Sequence, residues 1–251
     1  MNILILKSLL ATILSCAIAC QVNANTPTNT QQQLAAKQAF ENALTNMQIR
    51  RKALPNNVGL SYVQEEQDRV GNGKRSQFQP ETKQQGSWIL LEQYGKPLES
   101  NMQFETPFLI EPDAFSAEQA QLIKETESTW VFAIPNLVKV GLEGEEPAKR
   151  QETEEKLDNQ LEEMLQTELV IDKSRLQFAS LHIYSKAPFK PSFLAKVKKF
   201  EVRIEIAEAW VGGPLISAQT TRSMQGSFGF LVKIEEFQTV NISEVKQVQL
   251  N

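Results

Sequence analysis

The stretch from Lys199 to Ile206 reads Lys-Phe-Glu-Val-Arg-Ile-Glu-Ile, and it decides the fold class. Apolar and charged residues alternate along it, which is the period of a β-strand with one buried face and one face in water. Such strands are typical of antiparallel sheets, because strands of parallel sheets are usually apolar on both faces. The stretch therefore predicts an antiparallel sheet that packs its core on one side.

The chain on both sides of this strand predicts further strands of the same sheet. Upstream, the apolar phase shifts between Phe178 and Leu181, which indicates a β-bulge. Downstream, turns are predicted at 212–214 and at 225–227, with strands between and after them. Strands joined by such short links form an antiparallel meander.

Helices and strands are mixed in the earlier part of the chain. Helical spacing from Ala36 to Met47 predicts a first helix, and the Gly-Asn-Gly turn at 71–73 predicts a hairpin. The run Ser87–Tyr94 is apolar on both faces, which favours a central strand or one covered on both sides. Further helices are predicted at Phe115–Lys124 and from Gly144 to Leu169. We therefore expect an α+β fold, a curved antiparallel half-barrel covered on one face by helices.

Residues 1–24 predict a secretory signal peptide. Lys7 precedes a short apolar run, Ser8–Ala19, that is too short to span a membrane comfortably. Two outcomes stay open: cleavage after Ala24 would release the protein into the periplasm, whereas lipidation at Cys20 would anchor it as a lipoprotein. We interpret 25–33 as a flexible tether and 34–251 as one domain.

Composition argues against several classes of function. The net charge is −4, from 26 basic and 30 acidic residues, which argues against nucleic acid as a partner. Both cysteines, Cys16 and Cys20, lie in the leader, so a chain cleaved after Ala24 has no thiol. His182 is the only histidine, and its position in a strand predicts that it points away from the core. We therefore expect no metal, no cofactor and no catalytic residue.

Aromatic residues in predicted strands are the candidates for a ligand site. If the sheet curves, their shared face either lines an apolar groove or fills the core, and the sequence leaves both open. The groove interpretation names Trp88, Trp130, Phe132, Phe178 and Phe228.

A basic stretch is the second candidate surface. Between residues 186 and 203 the net charge is +5, and the stretch contains the rigid loop Pro188-Phe189-Lys190-Pro191. It predicts either a solvated surface or a patch for a partner or an anionic membrane. The lysines concerned are Lys186, Lys190, Lys196, Lys198 and Lys199.

The motifs Phe78-Gln79-Pro80, Trp88-Ile89-Leu90-Leu91, Gly95-Lys96-Pro97 and Pro188-Phe189-x-Pro191 resemble those of a family of uncharacterised exported Gram-negative proteins. The order of elements is also similar to that of the periplasmic lipoprotein carriers, whose half-barrels hold acyl chains. The resemblance implies a non-enzymatic periplasmic protein that binds lipid or an acylated partner such as a lipoprotein. The alternative is a structural or interaction protein of the cell envelope with a solid core and no ligand.

Overall fold

The computed structural model describes residues 30–82, 86–98, 109–134, 164–190, 194–229 and 232–250. The predicted leader with Cys20, and most of the helix predicted from Gly144, lie outside these residues. The described elements are α1 (Thr30–Lys52), β1 (Val58–Asp68), β2 (Gly73–Pro80), β3 (Gly86–Tyr94), a 3₁₀ turn (Pro112–Ala114), β4 (Gln121–Glu125), β5 (Thr129–Ala133), β6 (Leu165–Asp172), β7 (Gln177–Ser185), β8 (Ala195–Glu208), β9 (Leu215–Phe228) and β10 (Val232–Gln249).

The ten strands form one antiparallel sheet in the order β3-β2-β1-β10-β9-β8-β7-β6-β5-β4. Strands β4 to β10 are a meander, and β10 then pairs with β1 at the other end of the described chain. Strands β3 and β4 end this order without pairing with each other, so the sheet is not closed. The antiparallel sheet predicted from the alternation in β8 is therefore confirmed.

Residues of the core lie on one face of the sheet, which we call the inner face. It carries Phe200, Val202 and Ile204 of β8, which are all buried, while Arg203 between them is exposed. Helix α1 contributes an apolar stripe to the same core and contacts β4, β6, β7 and β9. Its buried members are Ala36, Ala39, Phe40, Ala43 and Met47.

The balance of helix and strand differs from the predicted α+β class. In the described residues the fold is mostly β, with one α-helix and ten strands. Leu165 and Leu169, predicted to end a long helix, instead lie in β6 and pair with β7. The segment Phe115–Lys124, predicted as a helix, is a turn followed by β4. Both segments have apolar residues at spacings compatible with a helix, and pairing with neighbouring strands overrides that weak preference.

Three local predictions also need correction. Strand β3 is not central but lies at an edge of the sheet, with its apolar residues exposed. Residues 225–227 do not turn the chain but continue β9, where a Cβ on Gly226 would lie within 2.4 Å of the Lys196 carbonyl oxygen. Glycine is therefore required there by the neighbouring strand and not by a turn. Residues 30–33 of the predicted tether belong to α1.

Other local predictions are confirmed. The turn at 71–73 connects β1 to β2, with Gly71 at a positive φ of 84°. The predicted bulge in β7 is present, because Val170 and Ile171 of β6 face Ser180 and Phe178 and leave Ala179 without an opposite residue.

Candidate functional site

Phe132 and Phe178, two of the five predicted ligand contacts, are packed beneath helix α1. The ring of Phe40 lies 5.0 Å from that of Phe132 and 5.4 Å from that of Phe178, both in edge-to-face geometry. All three side chains are buried. These rings therefore fill the core on the part of the inner face that α1 contacts.

Trp130 is partly buried and packs against that core, whereas Phe228 lies at the end of β9. Trp130 of β5 is half-buried, and the Lys173 ammonium lies 4.8 Å from the centroid of its ring. Phe228 is half-buried at the end of β9, opposite Ala195 on one side and Val232 on the other. The five predicted aromatic residues are therefore not brought together into one site.

Trp88 belongs to a second group of rings, which we call the aromatic cluster: Tyr62, Phe78 and Trp88. Its rings are 5.1 to 5.7 Å apart, and directly paired residues of β1, β2 and β3 hold them on one face. Trp88 is 49% exposed, and Leu90, two residues further along β3, is 59% exposed. Tyr62 is buried and Phe78 is half-buried, so the cluster has a partly buried base and an open apolar surface.

Cross-strand pairs show that the aromatic cluster lies on the inner face. Ile204 of β8 lies opposite Thr220 of β9, which lies opposite Val240 of β10. Val240 in turn lies opposite Glu66 of β1, and Glu66 opposite Lys74 of β2. Opposite residues share a face, and so do residues separated by an even number along a strand. The cluster, four residues from Glu66 along β1, therefore shares a face with the core.

Between the aromatic cluster and the core lies a group of polar residues. Glu66 is at its centre and accepts hydrogen bonds from Gln64 at 2.8 Å and from Gln238 at 3.1 Å. The Lys74 ammonium lies 3.4 Å from the same carboxylate, whose side chain is largely buried. Charged groups with so little exposure need partners of this kind.

Arg222 of β9 extends this polar group toward the core. It lies opposite Val202 of β8 and Gln238 of β10, and it is buried. Burial lowers the pKa of its guanidinium to about 9, and attraction by the Glu236 carboxylate partly opposes that shift. We call Glu66, Lys74, Arg222, Glu236 and Gln238 the polar band.

The outer face carries a separate network around His182. Leu181 and Ile183 are buried, so His182 points outward as predicted, and its Nε2 lies 3.0 Å from Glu201 Oε1. A hydrogen bond from Lys199 lowers the pKa of Glu201, with a smaller contribution from His182. These contacts join neighbouring strands through ion pairs.

Tyr184 completes the outer network and donates a hydrogen bond of 2.7 Å to Glu168. Burial, together with that carboxylate, raises the pKa of Tyr184 to about 12, so the phenol stays protonated at neutral pH. Within the described residues, no group of three or more histidine, cysteine or acidic side chains could hold a metal ion.

All five predicted lysines lie near one end of the sheet. Lys186 and Lys190 follow β7, and Lys196, Lys198 and Lys199 lie at the start of β8. All are exposed. Lys199 forms an ion pair of 2.7 Å with Glu201.

Sequence reasoning missed Tyr62, Phe78 and Arg222 as site residues. Arg222 carried the clearest signal, because it shares its strand phase with Thr220 and Met224, which are buried. A charge in the buried phase of a strand marks an unusual environment. The partners of Tyr62 and Phe78 depend on pairing between strands, which no local pattern specifies.

Comparison with known proteins adds nothing to this geometry. No family model, curated protein or solved structure matches the chain. Among the described residues, no helix is both long and apolar enough to cross a membrane.

Proposed function

We propose that this protein is a non-enzymatic protein of the cell envelope that binds an acyl chain of a lipid or of an acylated partner. The binding surface is the part of the inner face formed by β1, β2 and β3. One observation carries the proposal: the Trp88 ring is half-exposed and packs against the rings of Tyr62 and Phe78. Open apolar surface of this kind is typical of a ligand or partner site.

The aromatic cluster suits an acyl chain because both are apolar and neither needs directional bonds. Burial of a methylene contributes roughly 0.8 kcal/mol, so contact with a few methylenes gives measurable affinity. Leu90, on the same face as Trp88, lengthens the apolar surface along the edge strand.

The polar band gives a place for the polar end of such a ligand. Tyr62 and Glu66 are four residues apart on β1, which corresponds to about 13 Å along a strand. An acyl chain laid along β1 from the aromatic cluster would bring its head group to Glu66 and Lys74. Those residues offer both an acceptor and a donor for hydrogen bonds.

Export to the periplasm belongs to the same proposal, through cleavage after Ala24 or through lipidation at Cys20. So does the curved half-barrel with helices on its inner side. The contacts of α1 with β4, β6, β7 and β9 support that shape.

The alternative is an envelope protein that interacts with other proteins and holds no ligand. The interlocked rings of Phe40, Phe132 and Phe178 favour it, because they leave the inner face beneath α1 filled. The two functions differ in what the open half of the face contacts.

Substitutions at adjacent residues of β3 can distinguish acyl binding from the alternative, because the two side chains point to opposite faces of the sheet. Leu90 lies opposite Ser76 and faces inward, whereas Ile89 lies opposite Gln77 and faces outward. Both are exposed, at 59% and 42%. The variants Leu90→Asn and Ile89→Asn therefore form a matched pair.

The experiment titrates a fluorescent fatty acid into each variant, and native mass spectrometry looks for lipid that purifies with the protein. Loss of about three apolar carbon groups, the methine and two methyls, predicts at least roughly tenfold weaker binding for Leu90→Asn. Ile89→Asn should stay within about twofold of the original protein. No uptake of fatty acid, or equal loss in both variants, would refute acyl binding on the inner face.

A further inference from the structure

One end of the sheet is formed by the start of β8, the end of β9 and the start of β10. Ala195, Phe228 and Val232 lie opposite one another there, one from each strand. A hydrogen bond of 2.8 Å from the Gly229 amide to the Leu194 carbonyl links the residue after β9 to the residue before β8. The lysines that follow β7 lie beside this row, and we call the whole region the lysine end.

Apolar side chains project from the lysine end. Leu194 is 43% exposed and Val232 is 58% exposed. Phe228 lies beside Val232 and is half-buried. Together they give the tip of the sheet an apolar rim.

Positive charge surrounds the rim. Four of its lysines are exposed and form no ion pair within the described part of the chain. Lys196 lies opposite Ser227, which lies opposite Lys233, so two lysines flank β9 on the outer face about 10 Å apart. The four lysines without ion pairs are Lys186, Lys190, Lys196 and Lys198.

Acidic residues close to this end do not cancel that charge. Glu201 Oε2 lies 2.7 Å from Lys199, and Arg203 is 3.7 Å from Glu201 Oε1. Glu235 lies 2.7 Å from both Lys233 and Arg69. Each carboxylate is thus compensated by two cations of its own.

The segment 186–190, which presents Lys186 and Lys190, is held in place at Phe189. Phe189 is buried, and its backbone exchanges two hydrogen bonds with Val197, of 2.8 and 2.9 Å. The lysines on either side of Phe189 are therefore presented from a fixed backbone, which lowers the entropy lost when they bind a surface.

We propose that the lysine end docks onto an anionic lipid bilayer. Lysines that have no protein partner gain about 1 kcal/mol each beside an anionic surface, and apolar side chains between them can enter the boundary between head groups and acyl chains. Binding to an acidic protein would explain the positive charge of the lysine end. It would not explain why the apolar side chains of Leu194 and Val232 are exposed between the lysines. Docking goes beyond acyl binding and does not require it.

The test is co-sedimentation of the protein with vesicles of phosphatidylcholine alone and of phosphatidylcholine with 30% phosphatidylglycerol. Binding should need the anionic lipid and should weaken as salt rises. The double variant Lys190→Gln, Lys198→Gln should bind about thirtyfold more weakly, which is 2 kcal/mol for two lysines. Leu194→Ser with Val232→Ser should weaken binding even at low salt.

The matched control is Lys124→Gln with Lys246→Gln, which removes the same charge from exposed positions on other strands. It should stay within about twofold of the original protein. Equal binding to both vesicles, or equal loss in the two lysine pairs, would overturn the proposal. So would binding to acidic polypeptides such as polyglutamate with none to vesicles. Titration with a soluble fatty acid is scored separately, so failure of docking and failure of acyl binding are distinguishable.

Discussion

Buried Arg222 and half-buried Glu236, whose carboxylate attracts the Arg222 guanidinium, allow the polar band to be tested quantitatively. Arg222 is 6% exposed, and burial lowers the pKa of its guanidinium from 12.5 to about 9. A fall of that size corresponds to a cost on the order of 5 kcal/mol for keeping the charge in the folded protein at pH 7. The attraction of Glu236 is already included in this shift and reduces it.

Removing one partner should therefore differ sharply from removing both. Glu236→Gln leaves the guanidinium buried without its carboxylate, and we expect the free energy of unfolding to fall by about 3 kcal/mol. The double variant Arg222→Met, Glu236→Met replaces both charges by apolar side chains and should be as stable as the original protein or more so. Urea unfolding at pH 7, followed by tryptophan fluorescence, measures both.

The pH dependence gives an independent check on the same pair. Because the pKa of Arg222 is lower in the folded than in the unfolded state, the folded protein loses this proton first, and its stability rises above pH 9. Between pH 7 and pH 10.5, the free energy of unfolding of the original protein should rise by about 2 kcal/mol relative to that of the double variant. The titrations of lysine and tyrosine residues are common to both proteins, so they cancel in this difference. Two results would refute the claim that Arg222 is desolvated and stabilised by Glu236. One is a difference in unfolding free energy between the two proteins that does not change with pH; the other is a fall in that free energy of less than 0.5 kcal/mol in Glu236→Gln.

Two further predictions concern the packing that positions the inner face. Phe178→Ala should lower the free energy of unfolding by about 3 to 5 kcal/mol, because Phe178 is fully buried and contacts Phe40 and Phe115. Urea unfolding measures this change, and a loss below 1 kcal/mol would contradict a filled core beneath α1. Gly226→Ala should lower the free energy of unfolding by about 1 to 3 kcal/mol in the same assay, because the new Cβ would meet the Lys196 carbonyl oxygen. An unchanged free energy of unfolding would instead favour the turn that the sequence predicted at residues 225–227.

The sequence predicted those strands whose two faces differ. In β8, charged and apolar residues alternate, and this alternation predicts both the strand and the side chains that face the core. The bulge in β7 was visible for the same reason, as a change of phase between Phe178 and Leu181.

Strand β3 could not be placed from its sequence because its apolar residues occur in succession. The run Trp88–Leu91 fits a central strand as well as an edge strand whose side chains contact a ligand or partner. Its position depends on the pairing of β10 with β1, which joins residues 170 or more positions apart, such as Asp68 and Gln238. Local patterns carry no information about such pairing.

The candidate site was predicted only in part for the same reason. Trp88 was named from the sequence, whereas Tyr62 and Phe78 join it through the pairing of β1, β2 and β3. Phe132 and Phe178 had the same strand context as Trp88, but α1 packs over them.

Cross-linking with a photoactivatable fatty acid tests acyl binding on the open inner face most directly. After irradiation, peptide mass spectrometry locates the residues that carry the label. We expect labels on inward-facing residues of β1, β2 and β3, above all Trp88 and Leu90, with Ile89 unlabelled. Labels confined to the outer face, or no label that an excess of unmodified fatty acid displaces, would contradict it.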